Sequence, residues 1–176
     1  MLKAHETSGI VLFEEKQRYP RWLNTLIIVI FVFTIVMMVI AGYMGTEEKR
    51  KETWLGLIIA VPVEVLVILL LRNLRLEKIV TSNGLYYRWQ PWQKRYRVIE
   101  KEDIESFTSR RFPFVSYGFG RFPNYGWYHN AGGGEGMQLY LRDGRRYFFS
   151  TADKVEFEDA LHILTSFNPK PSLREF

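Results

Sequence analysis

The sequence predicts an α+β membrane protein, in which a transmembrane α-hairpin is followed by a small antiparallel β-barrel capped by a C-terminal helix. Three observations support this class: two long apolar segments joined by a charged one, a series of short alternating segments, and a final amphipathic segment. The 176 residues divide accordingly into an N-terminal segment (1–21), the hairpin (22–71) and a folded domain (72–176).

The two apolar segments of the hairpin cover residues 22–43 and 54–71. The first has 22 residues and no charge, and the second has 18 residues and one charge, Glu64. Because a bilayer core of about 30 Å takes roughly 20 apolar residues as a helix, each segment can span a membrane. Residues 44–53 form the predicted connecting loop, in which three basic and three acidic residues balance.

The distribution of Lys and Arg predicts that both termini are cytoplasmic. Three basic residues lie at positions 16–21 and seven at positions 72–97, against three in the loop. Since positive charge is retained on the cytoplasmic side, the loop is expected to face outward. The first span is too long for a cleaved signal peptide, so we expect a retained anchor.

The second span holds two residues that simple anchoring does not need, Pro62 and Glu64. Pro62 removes one helix hydrogen bond and frees a carbonyl group, and Glu64 lies close to mid-membrane, where a charge is costly. In an antiparallel pair of helices Glu64 lies at the depth of Thr34. Three roles are open: a neutral Glu bonded to Thr34 or to the freed carbonyl, an intramembrane contact with another membrane protein, or part of a proton or ion path.

Short alternating segments after the hairpin predict about seven strands. Asn83-Gly84 is a strong two-residue turn signal, and Asp143-Gly144 marks a second turn. The predicted strands cover residues 74–82, 85–89, 95–99, 106–112, 137–142 and 145–151, with one short strand near 127–131 and an acidic turn at 100–105. An antiparallel set of this size predicts a small curved barrel.

The last predicted element is an amphipathic helix over residues 153–167. Its apolar residues recur at three- and four-residue spacing, and Asp153 is one of its candidate caps. Asn168-Pro169 is expected to end it. The apolar face of this helix is expected to close the open end of the barrel.

Three segments of the chain resemble the bacterial pleckstrin-homology (PH)-like membrane proteins. They are residues 13–19 (FEEKQRY) before the first span, residues 117–121 (YGFGR), and the final hairpin at 136–146 (GMQLYLRDGRR) followed by Thr151. The resemblance implies a PH-like fold for the barrel and a place in the inner (cytoplasmic) membrane. It implies no catalytic activity, but a membrane-tethered module for binding or scaffolding.

A search for catalytic or metal-binding patterns finds none that is specific. The chain has no cysteine, and its three histidines are not spaced as metal ligands. The glycine-rich residues 132–136 lack the Lys-Ser/Thr of a phosphate loop and lead into a predicted strand, so we expect a flexible hairpin loop. The sequence therefore predicts no enzyme, no cofactor and no metal site.

One constellation indicates an interaction surface for a partner or for lipid. Arginines alternate with aromatic residues, a combination common at protein interfaces and on domains that lie against anionic lipid. The candidate residues are Arg110, Arg111, Arg121, Phe119, Tyr125 and Trp127. Nucleic acid is disfavoured because the net charge is only +5 and the chain carries a membrane hairpin.

The function predicted from these features is non-catalytic. A hairpin anchors a PH-like domain at the cytoplasmic face, where it binds or scaffolds another membrane protein, with membrane lipids as further partners. Two alternatives stay open. The chain is an accessory subunit of a larger integral membrane complex, or its domain is a receptor for a lipid or a small ligand.

Overall fold

The computed structural model describes residues 8–112, 117–132 and 134–166, without the side chains of residues 48 and 49. Its chain forms two compact units. The helical unit is Tyr19–Leu74, and the β unit combines the chain up to Arg18 with the chain from Arg75 onward. The fold is therefore α+β, with two long apolar helices, two sheets and a C-terminal helix.

The helical unit is a pair of helices, α1 (Arg21–Met44) and α2 (Glu47–Asn73). Only Gly45 and Thr46 separate them, so the predicted ten-residue loop is wrong. The charged residues that follow Thr46 instead form the first turns of α2, because Glu, Lys and Arg are good helix formers. By length and composition, Arg21–Met44 and Arg50–Asn73 can each cross a membrane.

The first sheet of the β unit has four antiparallel strands in the order β1-β2-β3-β4. These are β1 (Val11–Arg18), β2 (Arg75–Thr81), β3 (Gly84–Gln90) and β4 (Arg97–Glu100). The sequence did not predict β1, which pairs with β2 along its whole length. A strand contributed from before the helices thus completes a sheet whose other strands come after them.

The turn between β2 and β3 is one residue earlier than predicted. Ser82 and Asn83 form it, whereas Gly84 already pairs with Thr81 in the ladder. A side chain at Gly84 would overlap the carbonyl oxygen of Ile99 in β4. The glycine is therefore required by the close approach of β4 and not by the turn.

The second sheet has five strands in the order β5-β8-β9-β7-β6. They are β5 (Ile104–Arg111), β6 (Gly118–Phe122), β7 (Gly126–Asn130), β8 (Glu135–Leu141) and β9 (Arg146–Ser150). β7 and β9 are parallel and the other neighbours are antiparallel. A 3₁₀ turn, Lys101–Asp103, leads from β4 into β5 at the place where an acidic turn was predicted.

The predicted small barrel is wrong, because the described strands form two separate sheets. Closure needs a continuous hydrogen-bonded ladder around all strands. Here the chain leaves β4 through the 3₁₀ turn, and β5 pairs with β8 instead of β4. The two strands that the sequence did not predict, β1 and β6, each lie at an outer edge of a sheet.

The C-terminal helix α3 (Lys154–Ser166) supplies one wall of the main core. Phe157, Ala160, Leu161 and Leu164 are buried among residues of both sheets. Asp153 caps the helix, since its carboxylate accepts a 3.0 Å hydrogen bond from the backbone N–H of Glu156. Residues 167–169, the predicted end of the helix, lie outside the described residues.

Candidate interaction surfaces

Two of the predicted surface residues, Arg121 and Trp127, lie directly opposite each other on β6 and β7. They line an open cleft of about 440 Å³ between the turn that follows β6 and the turn that precedes β9. The second turn contributes Asp143, Arg145 and Arg146 to the lining. The cleft therefore combines three guanidinium groups with one exposed indole ring.

The charge of the cleft comes mainly from Arg121 and Arg146. Asp143 and Arg145 offset each other through an ion pair of 2.5 Å. The pKa of Asp143 is lowered chiefly because its carboxylate accepts a hydrogen bond from the Arg145 backbone N–H. The other two arginines leave the cleft with a net positive charge, which suits an anionic group.

The sequence missed Arg145 and Arg146 as members of this cleft. The Asp143-Gly144 turn was predicted correctly, but nothing in the sequence pairs β7 with β9. Their parallel pairing brings Gly126 against the backbone of Arg146, so closely that a side chain there would overlap it. Long-range pairing of this kind cannot be deduced from local patterns.

Arg110, Arg111 and Tyr125 form a second group. The Tyr125 hydroxyl donates a hydrogen bond to the Arg111 carbonyl at 3.0 Å, and the Arg110 guanidinium lies 4.7 Å from the centre of the Tyr125 ring. Tyr125 is 7% exposed and packs with Phe112 and Phe148 in a small second core. The tyrosine thus holds the turn in place, and only the two arginines present an exposed surface.

Phe119 lies in a third place, beside Trp92. The two rings are 6.0 Å apart and both are largely exposed, Phe119 by 47% and Trp92 by 58%. Buried Trp89 lies behind Phe119 at 6.0 Å. Trp92 is not among the surface residues predicted from the sequence, because its loop is distant from β6 along the chain.

His129 is a buried structural residue in β7 and has a fixed hydrogen bond. The Trp89 indole N–H donates to its Nδ1 at 3.0 Å, and the Phe149 ring stacks on it at 5.0 Å. Burial, reinforced by the positive charges of Arg97 and Lys78, lowers the pKa of His129 to about 3. The imidazole is therefore neutral at physiological pH.

Acidification is expected to destabilise the β unit through His129. Between pH 6.5 and 3 the unfolded chain binds a proton that the folded chain does not, so stability falls as pH falls. The His129 contribution to the slope is about 1.4 kcal/mol per pH unit between about pH 6 and pH 4. Denaturant unfolding of the full chain in detergent at several pH values measures this slope. A His129→Phe variant with an unchanged slope would contradict the assignment.

A buried polar cluster joins β1 to the end of β9. The Lys78 ammonium is fully buried, pairs with Glu15 at 2.8 Å and donates a hydrogen bond to the Ser150 carbonyl. The Glu15 carboxylate also accepts hydrogen bonds from the Thr151 hydroxyl at 2.8 Å and from the Ala152 N–H at 2.7 Å. Burial lowers the pKa of Lys78 to about 8, although Glu15 opposes the shift.

In the helical unit, Glu64 lies on the half-buried side of α2. Half-buried or buried positions recur there at three- and four-residue spacing: 53, 56, 57, 60, 64, 67, 68 and 71. Small residues let the two helices approach, since a side chain at Gly56 would contact Met38 at 3.2 Å. Glu64 therefore lies on the stripe of α2 that packs against α1.

The hydrogen bond considered between Glu64 and Thr34 is not formed. The Thr34 hydroxyl donates to the carbonyl of Ile30 at 3.0 Å, and Thr34 lies on an exposed side of α1. The Glu64 Oε2 atom is buried and has no hydrogen-bond partner in the described part of the chain. Pro62 lies inside α2 without ending it.

No protein-family model, curated protein or solved structure matches this chain. Within residues 8–112, 117–132 and 134–166, no three His, Asp or Glu side chains are grouped as metal ligands. The candidate surfaces are therefore defined by their own geometry: the Arg121 cleft, the exposed Arg110 and Arg111, and the Trp92 and Phe119 pair.

Proposed function

We propose that this chain is a membrane-anchored, non-catalytic module of the inner membrane that binds or scaffolds another membrane protein at the cytoplasmic face. In this proposal α1 and α2 cross the bilayer and both termini are cytoplasmic. The β unit is PH-like, a proposal that rests on the segments at 13–19, 117–121 and 136–146. It serves as the cytoplasmic binding domain.

The exposed apolar surface of the two helices carries the proposal. Only 6% of each candidate span is buried, whereas a helix in a soluble core is buried along one face or all round. Large side chains such as Phe33, Ile58 and Leu66 are between 56% and 70% exposed. A continuous apolar surface of this extent is unfavourable in water and favourable in lipid.

The position of β1 supports retention of the first helix. β1 precedes α1 in the chain and pairs with β2, which follows α2. Removal of α1 together with the residues before it would also remove β1 and with it the Glu15 partner of Lys78. This dependence favours a permanent anchor over a cleaved signal sequence.

The unpartnered Glu64 oxygen favours the accessory-subunit form of the proposal. A carboxyl group with an oxygen that lacks a donor is costly in an apolar surrounding. Glu64 is only half-buried, so a helix of another membrane protein that carries a donor could still contact its side chain and lower this cost. The Arg121 cleft offers a second contact outside the bilayer, for an acidic group of the same partner.

Co-purification tests this function. Membranes washed with alkaline carbonate should retain the tagged chain, and mild detergent should extract it with a membrane protein at fixed stoichiometry. Glu64→Leu should reduce that stoichiometry several-fold, because the polar contact is lost, whereas Glu64→Gln should retain it. Arg121→Glu should weaken the same complex.

Matched controls separate this result from misfolding. Val63→Leu changes an exposed neighbour of Glu64 without altering polarity, and it should leave the complex intact. Release of the chain by carbonate would refute the anchor. Equal recovery of the partner by wild type, Glu64→Leu and Arg121→Glu would refute the two proposed contacts.

A further inference from the structure

We infer that one end of the first sheet, where Trp92 meets Phe119 of β6 beside exposed basic residues, rests on the anionic lipid headgroups of the membrane. This inference builds on the proposed function, because it assumes that α1 and α2 cross the bilayer. It adds a surface and a partner of defined chemistry, a headgroup layer with negative charge.

The chain connections identify this end of the sheet. Arg18, Arg75 and Gln90 are aligned neighbours at the ends of β1, β2 and β3. β1 ends three positions before the first residue of α1, and β2 begins two positions after the last residue of α2. A chain that crosses the bilayer between these points must bring this end of the sheet within a few residues of the headgroups.

The loop that presents Trp92 starts at the same end and has a fixed conformation. It follows Gln90 directly, and two hydrogen bonds between Gln93 and the Trp89 backbone fold it back, at 2.7 and 3.2 Å. A third bond joins the Arg88 guanidinium to the Lys94 carbonyl at 3.0 Å. Trp92 is thus 58% exposed although its backbone is held, as expected for a presented side chain.

The exposed rings form a supported aromatic patch. The Trp92 and Phe119 rings meet edge to face at 6.0 Å, and Trp89 supports Phe119 from inside the β unit. Trp89 is itself held by its hydrogen bond to His129. Aromatic rings of this kind, and Trp above all, are enriched where a protein meets the boundary between lipid and water.

The charge around the patch has the sign that anionic lipid requires. Lys94, Arg95 and Arg18 are exposed, and no carboxylate of the described residues lies within ion-pair distance of them. The nearby acidic group, Glu77, is buried and engaged by Arg75 at 3.1 Å and by Arg88 at 2.6 Å. Positive charge beside exposed aromatic rings fits a headgroup layer better than a neutral apolar partner.

Because the chain contains no cysteine, single labels can report the environment of each position. Nitroxide labels are placed by Trp92→Cys, Phe119→Cys, Val155→Cys and Ile59→Cys in the full chain, reconstituted in vesicles of phosphatidylcholine and phosphatidylglycerol in equal parts. Val155 is a water-exposed control on α3 and Ile59 is a lipid control on α2, with exposures of 70% and 61%. For each label, the collision rate with a water-soluble nickel complex reports exposure to water, and the collision rate with oxygen, which concentrates in lipid, reports exposure to the bilayer.

The labels at 92 and 119 should collide with nickel several-fold less than the label at 155, and with oxygen at least as often. The added changes Lys94→Glu and Arg95→Glu should restore nickel access at 119, and so should vesicles of phosphatidylcholine alone.

Equal nickel access at 92, 119 and 155, with position 59 still in lipid, would overturn the inference but would not contradict the membrane anchor. Labels at 92 and 119 shielded from both nickel and oxygen would also overturn it, since protein would then cover the patch. Nickel access at 59 would refute the anchor itself.

Discussion

Replacing Glu15 by Gln is expected to destabilise the β unit by about 3 to 5 kcal/mol at neutral pH, because it leaves the buried Lys78 charge without its counter-charge. The Lys78 ammonium has no solvent exposure, and Glu15 is its ion-pair partner at 2.8 Å. The Ser150 carbonyl and the Phe157 ring also face it, but neither carries a negative charge. The measurement is denaturant unfolding of the full chain in detergent, monitored by the circular dichroism signal of the β-sheets.

The pH dependence of this effect distinguishes a lost charge pair from a packing defect. In the wild type, folding lowers the pKa of Lys78 from 10.5 to about 8, so its contribution to stability rises as pH increases through that window. Without Glu15 the pKa falls further, and the rise begins at lower pH. The destabilisation caused by Glu15→Gln should therefore be smaller at pH 9 than at pH 7.

The paired control is removal of the lysine charge. Lys78→Met removes the charge together with its desolvation cost, and Glu15 keeps its hydrogen bonds from Thr151 and Ala152. It should cost less than Glu15→Gln, and the double variant should be close to wild type. A double variant as unstable as Glu15→Gln alone would show that the charge pair is not the cause.

Sequence patterns predicted much of the fold because its local signals are strong. The apolar helices, the β8–β9 hairpin and the amphipathic α3 each have a clear period or turn signal, and each lies within a few residues of its expected position. The helical start of α2 was missed because six charged residues were interpreted as a loop. Glu, Lys and Arg have high helix propensity, so these residues extend the apolar helix that follows them by its first turns.

The features that the sequence did not reveal depend on contacts between distant segments. β1 was missed because its partner β2 lies beyond both helices, and without β1 the burial of Lys78 cannot be anticipated. Among the predicted surface residues, Tyr125 is buried because Phe112 and Phe148 pack against it. The meeting of Trp92 with Phe119 likewise depends on how two sheets pack, which no local pattern encodes.

Gly136 tests how such long-range packing decides the role of a residue. The sequence places it in a flexible glycine-rich loop, but it lies in β8 and pairs with Ser150 of β9. A side chain at Gly136 would overlap the Phe149 carbonyl oxygen and approach the Phe148 ring to 2.8 Å. Phe148 and Phe149 both lie in β9, which is inside the sheet, and their side chains are fully buried. Neither residue can therefore move without disturbing the core.

Gly136→Ala is therefore expected to destabilise the β unit by about 3 kcal/mol, the upper end of the usual cost of overpacking. Gly134→Ala is the matched control two residues away, because a side chain there meets Phe112 at an ordinary 3.6 Å. It should change stability by less than about 1 kcal/mol, since reduced freedom of the unfolded chain offsets small adjustments. Hydrogen exchange of the β8 and β9 amides in the full chain compares the two variants directly. Equal protection in both would mean that residue 136 belongs to a yielding loop, as the glycine-rich sequence alone suggests, and that the β8–β9 ladder is not closed at this position.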